Sequence, residues 1–305
     1  MLAPILTRRI TRRSLLATLG NLFLLGACGG GEIDKRIPLK SHFVPFGLCM
    51  SWDGRDGRST WTTTPLEQIT LSQQAGYTGL GIEQTTPEGL KAFADHADVA
   101  SGAFRIYSML WWATAGQTLN ETWLDGVLTQ AARMNMALWV VVGGNKNAQQ
   151  IDAAVTLLAA VANRCQEHAV QLVLYPHSGT TFVCAEEALV IRNRLADLGY
   201  PEVRLSVHLC HEQLAGNRNR LTEVVAKVAP WLALATVNGS SSGGDFFPLG
   251  EGSFDPGAYL QALADHDYSG PMELHTWSLP DPRLDNHLAR SLAHWNTIVR
   301  RPATA

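Results

Sequence analysis

The sequence has few cysteines and no excess of positive charge, and each shortage excludes a class of protein. Its 305 residues contain 5 cysteines, none of them in C-x-x-C spacing. This argues against a zinc ribbon or a disulfide framework, so we expect buried free thiols at Cys49, Cys165, Cys184 and Cys210. Lysine and arginine number 24 against 27 acidic residues. A chain with this balance is poorly suited to binding nucleic acid.

A long apolar run is also missing. The run from Leu15 to Leu25 has about eleven residues, whereas a helix needs roughly 20 to cross a bilayer. It follows a basic start and leads into 'LGAC', which ends at Cys28. 'TRRSLL' is similar to a twin-arginine export signal, and 'LGAC' is similar to a lipobox, whose cysteine receives lipid. These features favour a cleaved signal peptide over residues 1–27, with lipidation at Cys28, over a membrane-anchoring helix.

The predicted cleavage determines where the mature protein lies in the cell and how its segments are organised. It removes four arginines and no acidic residue, so the net charge changes from −3 to −7. We expect an exported lipoprotein on the periplasmic side of a bacterial membrane, held by its lipid anchor. Residues 28–42 are Gly-rich and then charged, as in a tether. Residues 43–300 are enough for one large domain, and residues 301–305 form a short tail.

After the tether, short apolar runs alternate with longer segments of helical periodicity. The runs are 'FVPFGLCM', 'YTGLGIE', 'FRIYSML', 'ALWVVVGG', 'VQLVLY', 'VRLSVH', 'LALATVN' and 'GPMEL'. Eight strand and helix pairs predict parallel strands joined by right-handed crossovers, and their closed form is the (β/α)8 TIM barrel. The alternative is an open doubly wound sheet, which usually has fewer strands, and no G-x-G-x-x-G follows the first run here.

Polar residues at the ends of the predicted strands mark the candidate site, because active sites of this fold lie at the C-terminal strand ends. Four of the ten histidines fall at the ends of the fifth, sixth and eighth strands, namely His177, His208, His211 and His275. We therefore expect the fifth strand to reach the site at 'LVLYPHSG'.

By these motifs the sequence resembles the xylose isomerase-like TIM barrels, a group of sugar isomerases and epimerases that also contains a DNA-repair endonuclease branch. The resemblance is carried by 'GYTGLGIE', 'LVLYPHSG', 'SVHLCHEQLAG', 'PLGEGSFDPGAYLQAL' and 'DYSGPMELHTW'. It covers roughly Phe43 to Arg300. The acidic mature chain makes the endonuclease branch the least favoured activity.

The resemblance also implies a metal site, and this chain departs from the family's ligands. Typical members hold one divalent metal through residues of strands five to eight, matched here to Tyr175, His208, Asn238 and Glu273. Of these positions only Glu273 keeps the family residue. A substitute set of His177, His208 and Glu273, with His211 as a further candidate ligand, suits zinc, manganese, iron or nickel better than magnesium. The alternative is no metal, with the histidines as sugar contacts.

Three residues are candidates for proton transfer. Glu273 lies near a strand end between apolar neighbours, where a carboxylate is costly unless it works as a base, binds metal or pairs with a cation. Glu83 is a candidate second base or hydroxyl clamp, and pairing with Arg105 is its structural alternative. His211 completes the predicted catalytic set.

Tryptophans and polar groups near the strand ends predict a sugar site, because flat indole faces stack on pyranose rings. The predicted contacts are Trp52, Trp111, Trp112, Tyr175, Asn238 and His275. Adjacent strand residues point to opposite sides, so one of Trp111 and Trp112 must pack in the core. Phosphorylated sugars are chiefly cytoplasmic, so export favours an unphosphorylated substrate.

The predicted activity is isomerisation or epimerisation of a sugar by proton abstraction next to a carbonyl. The same enolate chemistry also allows a lyase that eliminates from keto-glycosides. A sugar-binding lipoprotein without catalysis is the rival from another class, because three of the four family ligands are replaced.

Overall fold

The computed structural model describes residues 35–48, 50–52, 59–241, 244–277 and 279–300, without the side chains of 50–52 and 59–61. The predicted signal peptide, the lipidation site Cys28 and the tail lie outside these ranges. The described strands are β1 Phe43–Phe46, β2 Met50–Trp52, β3 Ser59–Thr62, β4 Gly79–Ile82, β5 Arg105–Thr114, β6 Ala137–Gly143, β7 Leu172–Leu174, β8 Arg204–His208, β9 Leu232–Val237 and β10 Met272–His275.

The described helices follow the strands in alternation, as the periodicity predicts. They are α1 Pro65–Gln74, α2 Pro87–Ala94, α3 Ala97–Ala100, α4 Glu121–Met134, α5 Ala148–Glu167, α6 Ala185–Asp197, α7 Leu209–Leu214, α8 Leu221–Val228, α9 Gly257–Asp265 and α10 His287–Ile298, with a short 3-10 turn at Ala229–Trp231. None of the helices in the described ranges is long and apolar enough to cross a membrane.

Eight parallel strands close into a barrel in the order β1-β10-β9-β8-β7-β6-β5-β4. The ring closes because β1 pairs with both the last strand and β4, with Phe46 opposite His275 on one side and opposite Gly81 on the other. Each of the eight predicted apolar runs contributes one barrel strand. The predicted TIM barrel is therefore confirmed.

The barrel wall has apolar side chains on both faces, because successive strand residues point to opposite sides. Along β5, Leu110 belongs to the cluster inside the barrel, whereas Trp111 belongs to the larger cluster between strands and helices. The inner cluster also contains Phe46, Trp139, Val141, Val173, Tyr175 and Leu234. This packing fills the middle of the barrel, so a ligand can enter only at an end.

Local sequence signals set the helix ends. The Thr64 side chain accepts a hydrogen bond from the Glu67 amide while the Glu67 side chain accepts one from the Thr64 amide, which makes a capping box before α1. Helix α4 ends at Asn135, whose φ of 49° is left-handed. Asparagine tolerates that conformation better than most residues, so it is a suitable stop.

Two features differ from the sequence analysis. The predicted tether reached residue 42, but the structure packs its second half against the barrel: Ile37 pairs with Val299, and Leu39 is only 1% exposed. The apolar side chains of this segment outweigh its charges. In addition, β2 and β3 form an antiparallel hairpin between β1 and α1. The hairpin carries Trp52, whose side chain lies outside the described residues.

Candidate active site

A narrow cavity opens at the C-terminal end of the barrel strands. It encloses about 50 Å³ and is lined by Leu110, Trp112, Tyr175, His177, His211, Phe246, His275 and Trp277. A larger groove of about 240 Å³ lies beside Cys165 and Tyr200, at the opposite ends of the strands. Active sites of this fold lie at the C-terminal ends, so we regard the smaller cavity as the candidate site.

Four histidines converge at this mouth. The ring centroids of His177 and His211 are 3.9 Å apart, those of His208 and His211 are 4.3 Å apart, and those of His208 and His275 are 4.8 Å apart. They come from β8, β10, the loop after β7 and the first turns of α7. Barrel closure thus brings together three strand ends that lie far apart in the sequence.

Backbone partners determine where three of these rings carry a proton. The Ser178 amide donates to Nδ1 of His211 at 3.3 Å, and the Trp277 amide donates to Nδ1 of His275 at 3.3 Å. Burial lowers the pKa of both rings, that of His275 to about 3, so both are neutral and carry hydrogen on Nε2. His177 is the reverse, because its Nδ1 donates to the Ser178 carbonyl at 2.7 Å.

His208 has no hydrogen-bond partner for either ring nitrogen, although its side chain is completely buried. Burial and the neighbouring histidines lower its pKa well below the usual range, so the ring is neutral. Buried polar groups in proteins almost always have partners. Two unpartnered nitrogens in this position indicate a place where a polar ligand or water binds.

Tyr175 packs against one of these histidines and against Trp139. Its ring stacks on Trp139 at 4.1 Å and on His208 at 4.9 Å. Its hydroxyl lies 3.2 Å from Nε2 of His211. Since that nitrogen carries hydrogen, the hydroxyl oxygen is the acceptor. Burial raises the pKa of Tyr175 well above its usual range, so the hydroxyl keeps its proton.

Glu273 lies deeper in the barrel than the histidines. It precedes His275 by two residues on β10, and its Oε1 accepts a hydrogen bond from the Ser108 hydroxyl at 2.6 Å. A Cβ on Gly81 would lie 2.6 Å from that oxygen, so only glycine leaves room for the carboxyl group. Oε2 has no partner, and burial raises the pKa of Glu273 to about 8.

Glu83 follows β4 at the mouth itself. Its Oε1 accepts a hydrogen bond from Nε1 of Trp277 at 2.9 Å, and Trp277 lines the cavity. Glu83 keeps part of its surface exposed, yet burial in the surrounding side chains raises its pKa to about 8. The predicted alternative of pairing with Arg105 is not formed, since Arg105 packs over the Tyr107 ring instead.

Comparison with known proteins assigns the family. The model of the xylose isomerase-like TIM barrel family matches residues 69–297. The chain belongs to this family. No curated protein is similar enough to count as a match.

Solved structures share the fold of this xylose isomerase-like chain at low identity. An E. coli 3-keto-D-glucoside 4-epimerase is 12% identical, with a TM-score of 0.65 over 85% of this chain and 100% of the epimerase. A Methylomonas sp. D-allulose 3-epimerase is 17% identical, with a TM-score of 0.59 over 85% of this chain and 96% of that enzyme. A probable 3-DHS dehydratase of Bacillus anthracis is 13% identical, with a TM-score of 0.63 over 80% of this chain and 96% of the dehydratase.

The family resemblance implies a divalent metal, so the question is whether the donor atoms at the mouth can hold one. The predicted set of His177, His208 and Glu273 is not among the groups of three donors within 4.8 Å of one another in the described residues, and Oε1 of Glu273 accepts from Ser108. Among the described residues, the group that could hold an ion is His208, Cys210 and His211, whose donor atoms lie within 4.8 Å of one another.

Two of those three donors are already engaged. The lone pair on Nδ1 of His211 accepts from the Ser178 amide, and the other nitrogen carries hydrogen. The Cys210 thiol donates to the Gly244 carbonyl at 3.0 Å. A divalent ion needs deprotonated ligands, and an anionic one helps to balance its charge. The residues as arranged therefore do not fit a resident divalent metal.

The tryptophan pair separates as strand alternation requires. Trp112 is 38% exposed and lies 4.8 Å from the His177 ring at the mouth. Trp111 is 4% exposed and packs on Trp123 of α4, with centroids 5.3 Å apart, outside the barrel. The prediction that Trp111 contacts substrate is therefore corrected, because its side of β5 faces the helices.

The remaining predicted residues are placed near the mouth but differ in access. Asn238 is buried, its amide donates to the Gly239 and Asp245 carbonyls, and its Oδ1 has no partner. His275 lines the cavity beneath Phe246, whose ring stacks on it at 4.4 Å. The sequence analysis missed Phe246, whose signal was weak because it follows β9 by nine positions in a loop.

The predicted free thiols are found wherever the structure describes them. Cys165, Cys184 and Cys210 are free and buried. Cys49 lies outside the described residues. Burial of these thiols in apolar surroundings explains their presence without a disulfide or a zinc role.

Proposed function

We propose that this protein is an isomerase or epimerase that moves a proton next to the carbonyl of an unphosphorylated sugar. The observation that carries the proposal is Glu83: a carboxyl group at the barrel mouth, hydrogen-bonded to Trp277, whose pKa is raised to about 8. The ionised form, which is the minor form at pH 7 for a pKa of about 8, is a much stronger base than an ordinary glutamate carboxylate, and proton abstraction from carbon requires such a base.

The proposed reaction has balanced steps. The Glu83 carboxylate takes the proton from the carbon next to the carbonyl, and the electrons of the broken C–H bond form the C=C bond of an enolate. The carbonyl oxygen gains the negative charge. Return of a proton from water or a protonated side chain to the opposite face of the same carbon, with the carbonyl re-formed, gives an epimer. Transfer of that carbon's hydroxyl proton to the enolate oxygen, followed by protonation of the former carbonyl carbon, gives an isomer with the carbonyl moved by one carbon.

The lining of the cavity supports a neutral sugar. Trp112, Phe246 and Trp277 provide aromatic faces, and no lysine or arginine is among the residues lining this cavity in the described ranges. Aromatic faces stack on the C–H faces of sugar rings, whereas phosphate groups are usually held by cations or by amides at helix ends. Both features favour an uncharged substrate.

The test is exchange of carbon-bound hydrogen with solvent. The full-length protein is incubated in D2O with D-allulose, D-tagatose, L-ribulose and a 3-keto-D-glucoside, and deuterium uptake is followed by NMR. Glu83→Gln should reduce uptake about a hundredfold or more, because it removes the base but retains an oxygen for Trp277. Glu88→Gln, an exposed residue of α2, is the matched control and should leave the rate unchanged.

The same incubation separates the rival functions. The E. coli neighbour acts on a 3-keto-D-glucoside, as its name states, and such a substrate also permits elimination of the group attached beside the enolate. Release of a free sugar or aglycone with deuterium uptake would identify a lyase. Binding of a sugar without uptake in any sample would identify the non-catalytic binding protein and contradict the proposal.

A further inference from the structure

A chain of hydrogen-bond donors runs through the mouth and ends at the cavity. The Ser178 amide donates to Nδ1 of His211, and the opposite nitrogen of that ring donates to the hydroxyl oxygen of Tyr175. The Tyr175 hydroxyl hydrogen has no acceptor among the described residues, and Tyr175 lines the cavity. All three donors therefore point in one direction, from the backbone of the β7 loop to the cavity.

The last donor in this chain is fixed in position. Tyr175 packs against both the Trp139 and the His208 ring, nearly parallel to them at interplanar angles of 14° and 13°. Trp139 is anchored in turn, because its Nε1 donates to the Ser206 hydroxyl at 2.8 Å. A donor that needs no reorientation during a reaction stabilises developing charge better than a mobile one.

The enolate formed in the proposed reaction needs such a donor. Its oxygen becomes negative, no lysine or arginine lines the cavity among the described residues, and the available groups do not fit a resident metal. A neutral hydroxyl that receives a hydrogen bond on its own oxygen is a stronger donor, because linked hydrogen bonds polarise one another. Beside the Tyr175 ring, His208 is completely buried with both ring nitrogens unpartnered, a second polar feature of this region without a protein partner.

We propose that the Tyr175 hydroxyl is the catalytic group that stabilises the enolate oxygen, in the place where related sugar enzymes would need a cation. It donates a hydrogen bond to the carbonyl oxygen as the base removes the neighbouring proton. His211 is a positioning residue that holds the Tyr175 oxygen and shares its growing negative charge. This inference rests on the proposed function and names how that reaction proceeds without a metal.

The first experiment measures turnover. Tyr175→Phe keeps the ring packed against Trp139 and His208 but removes the donor, so the deuterium-uptake kcat should fall about a hundredfold, with KM changed far less. Tyr77→Phe is the matched control, since it also removes a buried hydroxyl, one that donates to the Leu288 carbonyl far from the mouth. Uptake by wild-type protein should survive dialysis against EDTA. An unchanged kcat in Tyr175→Phe, or loss of uptake on chelation with recovery on adding zinc or manganese, would overturn the inference.

The second experiment does not depend on turnover. Erythronohydroxamate, a neutral-sugar mimic of an enediolate, is titrated into EDTA-treated protein in a calorimeter. Wild type and Tyr77→Phe should bind it equally, and Tyr175→Phe should bind it roughly tenfold to a hundredfold more weakly. Equal binding by all three proteins, or no binding by wild type, contradicts the inference. Hydroxamate binding without deuterium uptake from any sugar would instead contradict the proposed function and leave the oxyanion site in place.

Discussion

Replacing Glu273 by glutamine should stabilise the protein at neutral and alkaline pH. The carboxyl group is completely buried, its Oε1 accepts from the Ser108 hydroxyl, and its Oε2 has no partner. Burial therefore favours the protonated acid over the carboxylate. Glutamine has the same shape as that acid and can accept the same hydrogen bond. The substitution thus removes the cost of ionisation without leaving a cavity.

The magnitude follows from the difference in proton binding. An unfolded glutamate has a pKa of about 4.3, whereas the folded value is about 8. Between these values the folded state keeps a proton that the unfolded state has lost, so the wild-type free energy of unfolding falls by about 1.4 kcal/mol per pH unit. Below that window both states are protonated, and above it the loss is complete. The glutamine variant should gain roughly 3 kcal/mol at pH 7 relative to its own difference at pH 4.

The assay is urea unfolding of both full-length proteins at several values between pH 5 and pH 8.5. The difference in unfolding free energy should grow steadily with pH and level off near pH 8. The unfolding free energy of the exposed variant Glu88→Gln should change with pH in parallel with that of wild type. Parallel curves for wild type and Glu273→Gln would refute the reasoning, because they would mean that Glu273 ionises as easily in the folded protein as in the unfolded chain.

Two further predictions concern the mouth and the anchor. Trp112→Ala should weaken sugar binding with little loss of stability, because Trp112 is 38% exposed at the mouth, whereas Trp111→Ala should cost about 3–5 kcal/mol of unfolding free energy by emptying the outer core. Denaturant unfolding measures the stability of each variant, and sugar titration measures its binding. Equal effects of the two substitutions would contradict the placement of Trp112 at the mouth and Trp111 in the outer core. We also propose that Cys28 carries lipid: Cys28→Ser should move the protein from the membrane to the soluble fraction in cell fractionation, and retention of the uncut signal on mature protein would refute this.

The sequence was sufficient for the fold because its signals are local. Apolar runs and helical periodicity repeat within a few residues, and eight such pairs leave few arrangements other than a closed barrel. The ends of the strands then identify the rim, which is why His177, His208, His211 and His275 could be named as one group. Their convergence is observed, with neighbouring rings 3.9 to 4.8 Å apart.

Depth along a strand could not be predicted. Glu273 and His275 are two residues apart and both point into the barrel, so alternation treats them alike. The pairing with β1 shows which layer lies at the mouth: His275 is opposite Phe46, the last residue of β1, whereas Glu273 is opposite Val44, one layer lower. The level that each layer reaches is a property of the closed sheet, which places the Glu273 carboxyl group next to Ser108.

The sequence by itself determined the element order, the closed barrel, the buried thiols and the rim on which the polar residues gather, because periodicity and chain direction depend on neighbours along the chain. Only the tertiary structure decided the chemistry. The partners that fix protons come from distant segments: Ser108 binds Glu273 across 165 positions, Trp277 binds Glu83 across 194, and Ser178 sets the protonated nitrogen of His211. A hydrogen bond forms only when the donor–acceptor distance is right to within a few tenths of an ångström. Closure of the barrel sets those distances.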